Sequence, residues 1–310
     1  MQVPILLSDN ELGDLRWRRP NVPYPTNPKS SYRRVGCIGD GSCFFHAIAK
    51  GMSEIYQLSY NQFPQISERT LQKFEESSGN SIKFPNTLFS SPRNRDPNTM
   101  YTFKNDKAFR NLMERFRTTY VKLLRRDFAL RIANDPQMQG LVRKYLKGSI
   151  DLAADNLIAA ALLKGQILDR ASVTEQAVYT VKNNLMKELL SDGPVPPDFI
   201  LLLSDFADLD IYLLRDADLS STSKSNPLYG GSSLHSPVRG PADMRPPLDR
   251  FQGYPNRRAI VLISIDDFHY EIVARVDNWE KREIYPTLTQ EEPLIRRLYE
   301  MLLELRNNLT

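Results

Sequence analysis

Cys43 stands in Gly39-Asp40-Gly41-Ser42-Cys43-Phe44-Phe45-His46-Ala47-Ile48-Ala49-Lys50-Gly51, a glycine-flanked turn that runs into an apolar helical pattern. At a helix start the first backbone N–H groups lack intrahelical partners and the dipole is positive, so a thiolate is favoured there over a thiol. A nucleophilic thiolate also needs a base. The chain's histidines are at 46, 235 and 269, and beyond the Cys43 turn only His269 lies in a well-patterned stretch, Ile263-Ser264-Ile265-Asp266-Asp267-Phe268-His269-Tyr270-Glu271-Ile272-Val273. The two stretches read as halves of one site.

Acyl transfer by cysteine requires an attacking sulfur, an imidazole that takes its proton, a group that orients the imidazole, and donors aimed at the developing oxyanion. Here Cys43 attacks, His269 carries the proton, and the backbone amides of Gly41, Ser42 and Cys43 are the expected oxyanion donors at the helix start. Glu271, two residues past His269 on an extended strand, shares its side and is the expected orienter; its plainer reading is an exposed strand carboxylate. Asp266 and Asp267 compete for that role, Asp267 only if the strand is already regular there. Asp40 is placed to cap the helix and to shape the oxyanion turn, and its charge opposes the thiolate, so His269 must supply the compensating positive charge. His46, one helical turn past Cys43, projects from the helix body and is expected to pack or hydrogen-bond rather than act as base.

These residues need rigid elements under them. Residues 1–34, with Pro4, Pro20, Pro23, Pro25 and Pro28, read as an extended N-terminal arm without visible chemistry. Arg33 to Ile38 is a short strand that feeds the turn, and the helix over Cys43 to Lys50 is stopped by Gly51. From Gln57 to Asn105 prolines and a glycine punctuate an aromatic-rich stretch, which predicts short helices and loops rather than regular sheet. From Asp106 to Ile132 the apolar spacing predicts a long amphipathic helix. Its other side carries Lys107, Arg110, Arg115, Arg117, Lys122, Arg125, Arg126 and Arg131, a solvated outer face or a grip for phosphates. Asp151 to Leu168 is an Ala- and Leu-rich helix expected to be buried on more than one side, and Ser172 to Leu190 is another helix.

The pattern then turns to sheet. A short helix over Asp198 to Phe206 precedes a buried strand at Ile211 to Leu214. Residues 220–256 are an exposed, Ser-, Pro- and Gly-rich loop that holds His235. Strands over Ala259 to Ile265 and Tyr270 to Val276 form a tight hairpin with His269 near the start of the second, and a last helix follows Pro293 with an apolar face that packs on the body. The domain reading is an arm over 1–34, a catalytic domain over 35–285 with a helical insertion over 57–190 and the loop over 220–256, and a C-terminal helix over 286–310.

Composition limits the alternatives. The chain has 310 residues, a net charge of +4 and two cysteines, Cys37 and Cys43. That is too few cysteines for a disulfide framework and, with three scattered histidines, too few ligands for a well-spaced zinc site, so a reducing, cytoplasmic compartment is expected. The apolar run around Leu157 to Leu163 is far below the roughly 20 residues that cross a bilayer, and Val3 to Leu7 lacks the basic region of a signal peptide, so no membrane partner is expected. The small charge, concentrated in one helix, argues against a dedicated nucleic-acid binder.

Asp40-Gly41-Ser42-Cys43-Phe44-Phe45-His46-Ala47 resembles the Asp-Gly-Asn-Cys-Leu-Phe-Arg-Ala block of the ovarian-tumour (OTU) family of cysteine proteases, and Phe268-His269-Tyr270-Glu271 resembles that family's terminal histidine block. Pro197 to Leu214 is similar to the helix-then-strand segment before the family's final hairpin. The resemblance covers about 35–50 and 197–276. It implies an α/β (α+β) fold with a papain-like core, a small central sheet flanked by helices, here with an enlarged helical region. It also implies a deubiquitinase that hydrolyses the bond after the C-terminus of ubiquitin or a ubiquitin-like modifier, with ubiquitin or polyubiquitin chains as partner and no metal cofactor. Ser42 and His46 stand where the family more often has Asn and Arg, and Glu271 where Asp or Asn is usual, which leaves the third triad member open. The alternatives are a catalytically silent ubiquitin-binding module and an anion or nucleic-acid binder using the basic helix.

Overall fold

Strand alternation explains how the sheet is built and where its helices lie. The computed structural model describes residues 5–6, 32–194, 199–207, 209–215, 258–265, 269–278, 283–296 and 298. Most of the arm, the 220–256 stretch with His235, Asp266 and Asp267, and the end of the last helix lie outside them. Six strands form one sheet: β1 (Ile5–Leu6), β2 (Tyr32–Val35), β5 (Leu209–Arg215), β6 (Arg258–Ile265), β7 (His269–Asn278) and β8 (Glu283–Tyr285). Their order is β1-β8-β7-β6-β5, with β2 also paired to β7. Among the described residues only β5 and β6 run parallel. β3 (Gln65–Ser67) and β4 (Met100–Thr102) form a separate two-stranded sheet.

Successive side chains of a strand point to opposite faces. Ile260 and Leu262 of β6, with Tyr270, Ile272 and Ala274 of β7, face one core; Ala259, Val261, Ile263 and Val273 face another. The first face is covered by α1 (Cys43–Met52), every residue of which from Cys43 to Gly51 is buried. The second is covered by Leu294, Ile295 and Leu298 of the C-terminal segment. Helix, sheet and helix therefore stack in three layers, a mixed helix-and-sheet arrangement. The C-terminal segment is held by bonds as well as packing: Leu288 and Ala259 exchange both backbone bonds at 2.8 Å, and Thr287 Oγ1 donates to the Gly51 carbonyl at 2.8 Å.

Gly51 does not stop α1, which continues to Met52. Its role is close approach: a Cβ there would lie 2.4 Å from Ile260 Cγ2, so the helix reaches the sheet only because a side chain is missing. Helices α2 (Glu54–Leu58) and α3 (Glu68–Ser77) follow, each capped by a serine whose hydroxyl accepts a backbone N–H, Ser53 from Tyr56 and Ser67 from Thr70.

The punctuated stretch after Gln57 has a core of its own. Ile66, Leu71, Phe74, Phe84, Phe89 and Tyr101 pack on Phe109, Met113 and Phe116. Short strands β3 and β4 appear there in addition to the expected helices and loops. Arg93, with 2% of its side chain exposed, bonds Glu68 at 2.5 and 2.8 Å and Glu75 at 2.7 Å. A buried guanidinium thus fixes the loop between α3 and β4, where apolar contacts alone would leave two carboxylates unpaired.

Four long helices complete the body: α4 (Asp106–Asn134), α5 (Pro136–Tyr145), α6 (Lys147–Leu162) and α7 (Arg170–Leu190), then α8 (Ile200–Ala207) before β5. The Ala- and Leu-rich helix is buried on one side only. Ile150 and Ala154 of α6 pack on Val173 and Ala177 of α7, while Leu152, Leu162 and Leu163 are exposed. Among the described residues no helix is long and apolar enough to cross a membrane.

Candidate active site

The turn that precedes Cys43 is built from three directions. Gly41 adopts φ +78°, a left-handed conformation that L side chains rarely take. A Cβ at Gly41 would lie 2.0 Å from the carbonyl oxygen of Asp192, so the turn presses on the loop that follows α7. Asp40 does not cap α1. The N-cap is Ser42, with no side-chain cap bond, and the Asp40 carboxylate turns back to accept the Ser42 N–H at 3.0 Å on Oδ1. The reversal at Gly41 swings Asp40 away from the helix's own free amides. The Ser42 amide, one of the three expected oxyanion donors, is thereby already bonded.

The second carboxylate oxygen of Asp40 meets His46. Nε2 of His46 lies 3.0 Å from Asp40 Oδ2, and Nδ1 lies 2.5 Å from the Tyr56 hydroxyl. Tyr56 is in turn 3.4 Å from the Tyr60 hydroxyl. Each donor finds an acceptor when His46 is neutral with its proton on Nε2, facing the carboxylate, and Nδ1 accepts from Tyr56. Burial holds the His46 pKa below its ordinary value, against the pull of Asp40, and the charges of Lys50 and Arg117 lower it further. The hydrogen-bonding role expected of His46 is the one it has.

Arg125 closes the turn from the third side. By spacing it belongs to the basic outer face of α4, yet only 2% of it is exposed. Its guanidinium donates to Ser42 Oγ at 2.8 Å and to the carbonyls of Glu188, Leu189 and Gly193 at 2.8 to 3.0 Å. The solvated-face reading fails at this position because α7 packs across it. Position 125 lies four residues after Val121 and four before Ala129, both buried, and that spacing was the available signal.

Cys43 itself is buried, with 2% exposed. Tyr270 donates its backbone N–H to Sγ at 3.3 Å, and the Tyr270 ring packs edge-on against Phe44 with centroids 5.1 Å apart. The start of β7 and the start of α1 are thus in direct contact, and His269 is the residue before Tyr270. Glu271 stands on the His269 side of the strand, with Oε1 3.6 Å from His269 Nε2 and 15% of its side chain exposed. That exposure contradicts the plain reading of Glu271 as an exposed strand carboxylate.

The electrostatics of the sulfur differ from the expectation drawn from a helix start. Burial pushes the Cys43 thiol up; the backbone amides of Tyr270, Phe44 and Cys43 pull it down, and the charge of Asp40 adds to the rise. The net direction is upward, because loss of hydration outweighs three amide dipoles. A cation is needed to favour the thiolate.

Among the described residues no group of histidine, cysteine and acidic side chains is arranged to hold a metal ion. Neither the models of known protein families nor the curated protein sequences give a match to this chain.

Proposed function

We propose that the chain is a cysteine-dependent deubiquitinase of OTU type, which hydrolyses the peptide or isopeptide bond after the C-terminus of ubiquitin or a ubiquitin-like modifier. The observation that carries this reading is the contact of the two motif blocks, Tyr270 N–H on Cys43 Sγ at 3.3 Å, with His269 adjacent in the chain. In this chemistry His269 accepts the thiol proton and Sγ attacks the scissile carbonyl carbon. The tetrahedral oxyanion collapses to a thioester while His269 protonates the leaving amine. Water, deprotonated by His269, then releases the carboxylate and frees Cys43. In this reading Glu271, whose Oε1 lies 3.6 Å from His269 Nε2, orients the ring and leaves Nδ1 for the thiol.

A ubiquitin probe with a C-terminal electrophile tests it. Labelling lost in Cys43→Ala supports the reading, and a folded wild-type protein that is never labelled overturns it. The burial of Cys43 and its raised thiol also fit a silent ubiquitin-binding module, which would bind ubiquitin without reacting. Use of the basic helix for nucleic acid has less support: Arg125 is buried, Arg117 lies over the Tyr60 ring, and Lys122 and Arg131 lie within ion-pair distance of Asp192 and Asp127.

A further inference from the structure

Between the first half of α4 and the 59–64 loop after α2 the surface opens into a pocket of about 680 Å³, a size that takes a small ligand or a partner's side chain. Its floor is apolar and largely aromatic: Tyr60, Phe109 and Met113 are buried, and Phe63 stands edge-on to Phe109 with centroids 6.2 Å apart. One cation of the lining is engaged within the chain, since the Arg117 guanidinium lies 4.1 Å over the Tyr60 ring and its Nε donates to the Met113 carbonyl at 3.2 Å. The rim differs from the floor. Asp106, Arg110 and Glu114 are exposed at steps of four along α4 and so share one side of it. Their side chains make no hydrogen bond or ion pair with another described residue, nor do those of Gln62 and Asn111, also on the rim. An apolar floor beneath unpaired charge and open amides has the composition of a recognition site.

We propose that this pocket docks an extended, basic peptide segment of a partner protein, with an apolar side chain in the cavity and a basic side chain to either side of it. The charge balance selects the class. Two unpaired carboxylates, Asp106 and Glu114, stand against one unpaired cation, Arg110, so a phosphate-bearing partner such as nucleic acid or anionic lipid is repelled at two of the three positions. The spacing selects the register. The eight residues from Asp106 to Glu114 span about 12 Å of helix, and four residues of an extended chain span about 13 Å. Side chains at i, i+2 and i+4 of such a chain share a face, so the outer two reach Asp106 and Glu114 while the middle one enters the cavity. Arg110, midway between the carboxylates, is left to donate to the segment's carbonyls, and the amides of Gln62 and Asn111 offer both donors and acceptors to its backbone. The inference is independent of the chemistry at Cys43.

The probe is the peptide Arg-Ser-Phe-Ser-Arg, blocked at both ends, titrated into the folded protein in a calorimeter at low ionic strength. Binding at one site with a dissociation constant on the order of 10–100 µM is expected. Asp106→Asn combined with Glu114→Gln, both at exposed positions that leave the fold intact, is expected to weaken it at least about tenfold. Replacing the peptide's Phe by Ser, or both of its Arg by Glu, is expected to weaken binding to the wild type by at least about as much. No binding to the folded wild type at millimolar peptide overturns the proposal. So does equal affinity in the double variant, or equal affinity for the Ser or the Glu peptide. Displacement of the peptide by a short single-stranded oligonucleotide also overturns it and marks the pocket as a phosphate site. Cys43→Ala is expected to bind the peptide as the wild type does, so failure of a ubiquitin probe to react and failure of this docking are read separately.

Discussion

His46 and Asp40 lie 3.0 Å apart, nitrogen to oxygen, with the imidazole fully buried and the carboxylate part-exposed in the turn ahead of Cys43. The pair leaves a negative charge close to the sulfur, since a neutral His46 satisfies the carboxylate without cancelling it. Asp40→Asn removes that charge and keeps an acceptor for the Ser42 amide. Alkylation of Cys43 near neutral pH is expected to become roughly three- to tenfold faster, measured as the rate of iodoacetamide incorporation.

The same histidine sets a pH window for stability. His46 titrates near 6.5 in the unfolded chain and below that when folded. The unfolded state therefore binds more protons between those two values, and the contribution of His46 is complete above about 6.5 and is lost as the pH falls toward the depressed folded value. The thermal midpoint of the wild type is expected to fall between pH 7 and 5, and His46→Gln to flatten that part of the profile.

Removing Arg93 takes the buried cation from Glu68 and Glu75 and leaves them the exposed Arg95, 3.6 and 3.1 Å away. Burial alone pushes Glu68 and Glu75 up, but Arg93, helped by Arg95 and by hydrogen bonds from Gln72 to Glu68 and from the Phe84 amide to Glu75, brings both below the ordinary carboxylate value. Arg93→Met is expected to cost about 3–5 kcal/mol in urea denaturation at pH 7. Its loss should shrink as the pH falls, starting above the ordinary carboxylate value of about 4.5, because carboxyls that burial raises already take up protons there once Arg93 is gone.

Glu271→Gln separates an orienting carboxylate from a strand residue. Under the proposed chemistry the neutral amide holds the His269 ring less firmly and stabilises the imidazolium less. Cleavage of a ubiquitin substrate is expected to fall about 10²-fold in kcat/KM with the fold unchanged by circular dichroism. Equal rates in the two proteins would assign the role elsewhere.

Gly41→Ala tests the turn itself. The left-handed φ and the approach of the Asp192 carbonyl each penalise a Cβ, and together they are expected to cost at least about 2–3 kcal/mol. The reaction of Cys43 with iodoacetamide should change even in the fraction that remains folded.

The elements that position the site were legible because their signals are local. The apolar strand segments over 259–265 and 270–276, the glycine turn before Cys43 and the apolar spacing of Phe109, Met113, Phe116 and Phe128 each lie within a few residues of chain. What escaped depends on partners far away. Arg125 sits among other basic residues, and only the crossing of α7 turns its side of α4 inward. Gly51 looks like a helix stop until Ile260 is brought against it. The exposure of Leu162 and Leu163 is likewise invisible to composition, since a helix rich in Ala and Leu reads as buried whichever sides its neighbours cover. The raised Cys43 thiol follows from the same cause, because burial by distant segments outweighs the helix start that the local sequence announces.

The contact of Gly41 with the Asp192 carbonyl has a temporal side. Cys43 and its glycine turn are made before the wall they lean on, which comes with the end of α7, and the amide that bonds the sulfur follows later still with β7. Contacts so distant in sequence carry a larger loop-closure cost than local ones. The surroundings of Cys43 are therefore complete only once α7 and β7 have docked, and its alkylation rate is expected to report that docking.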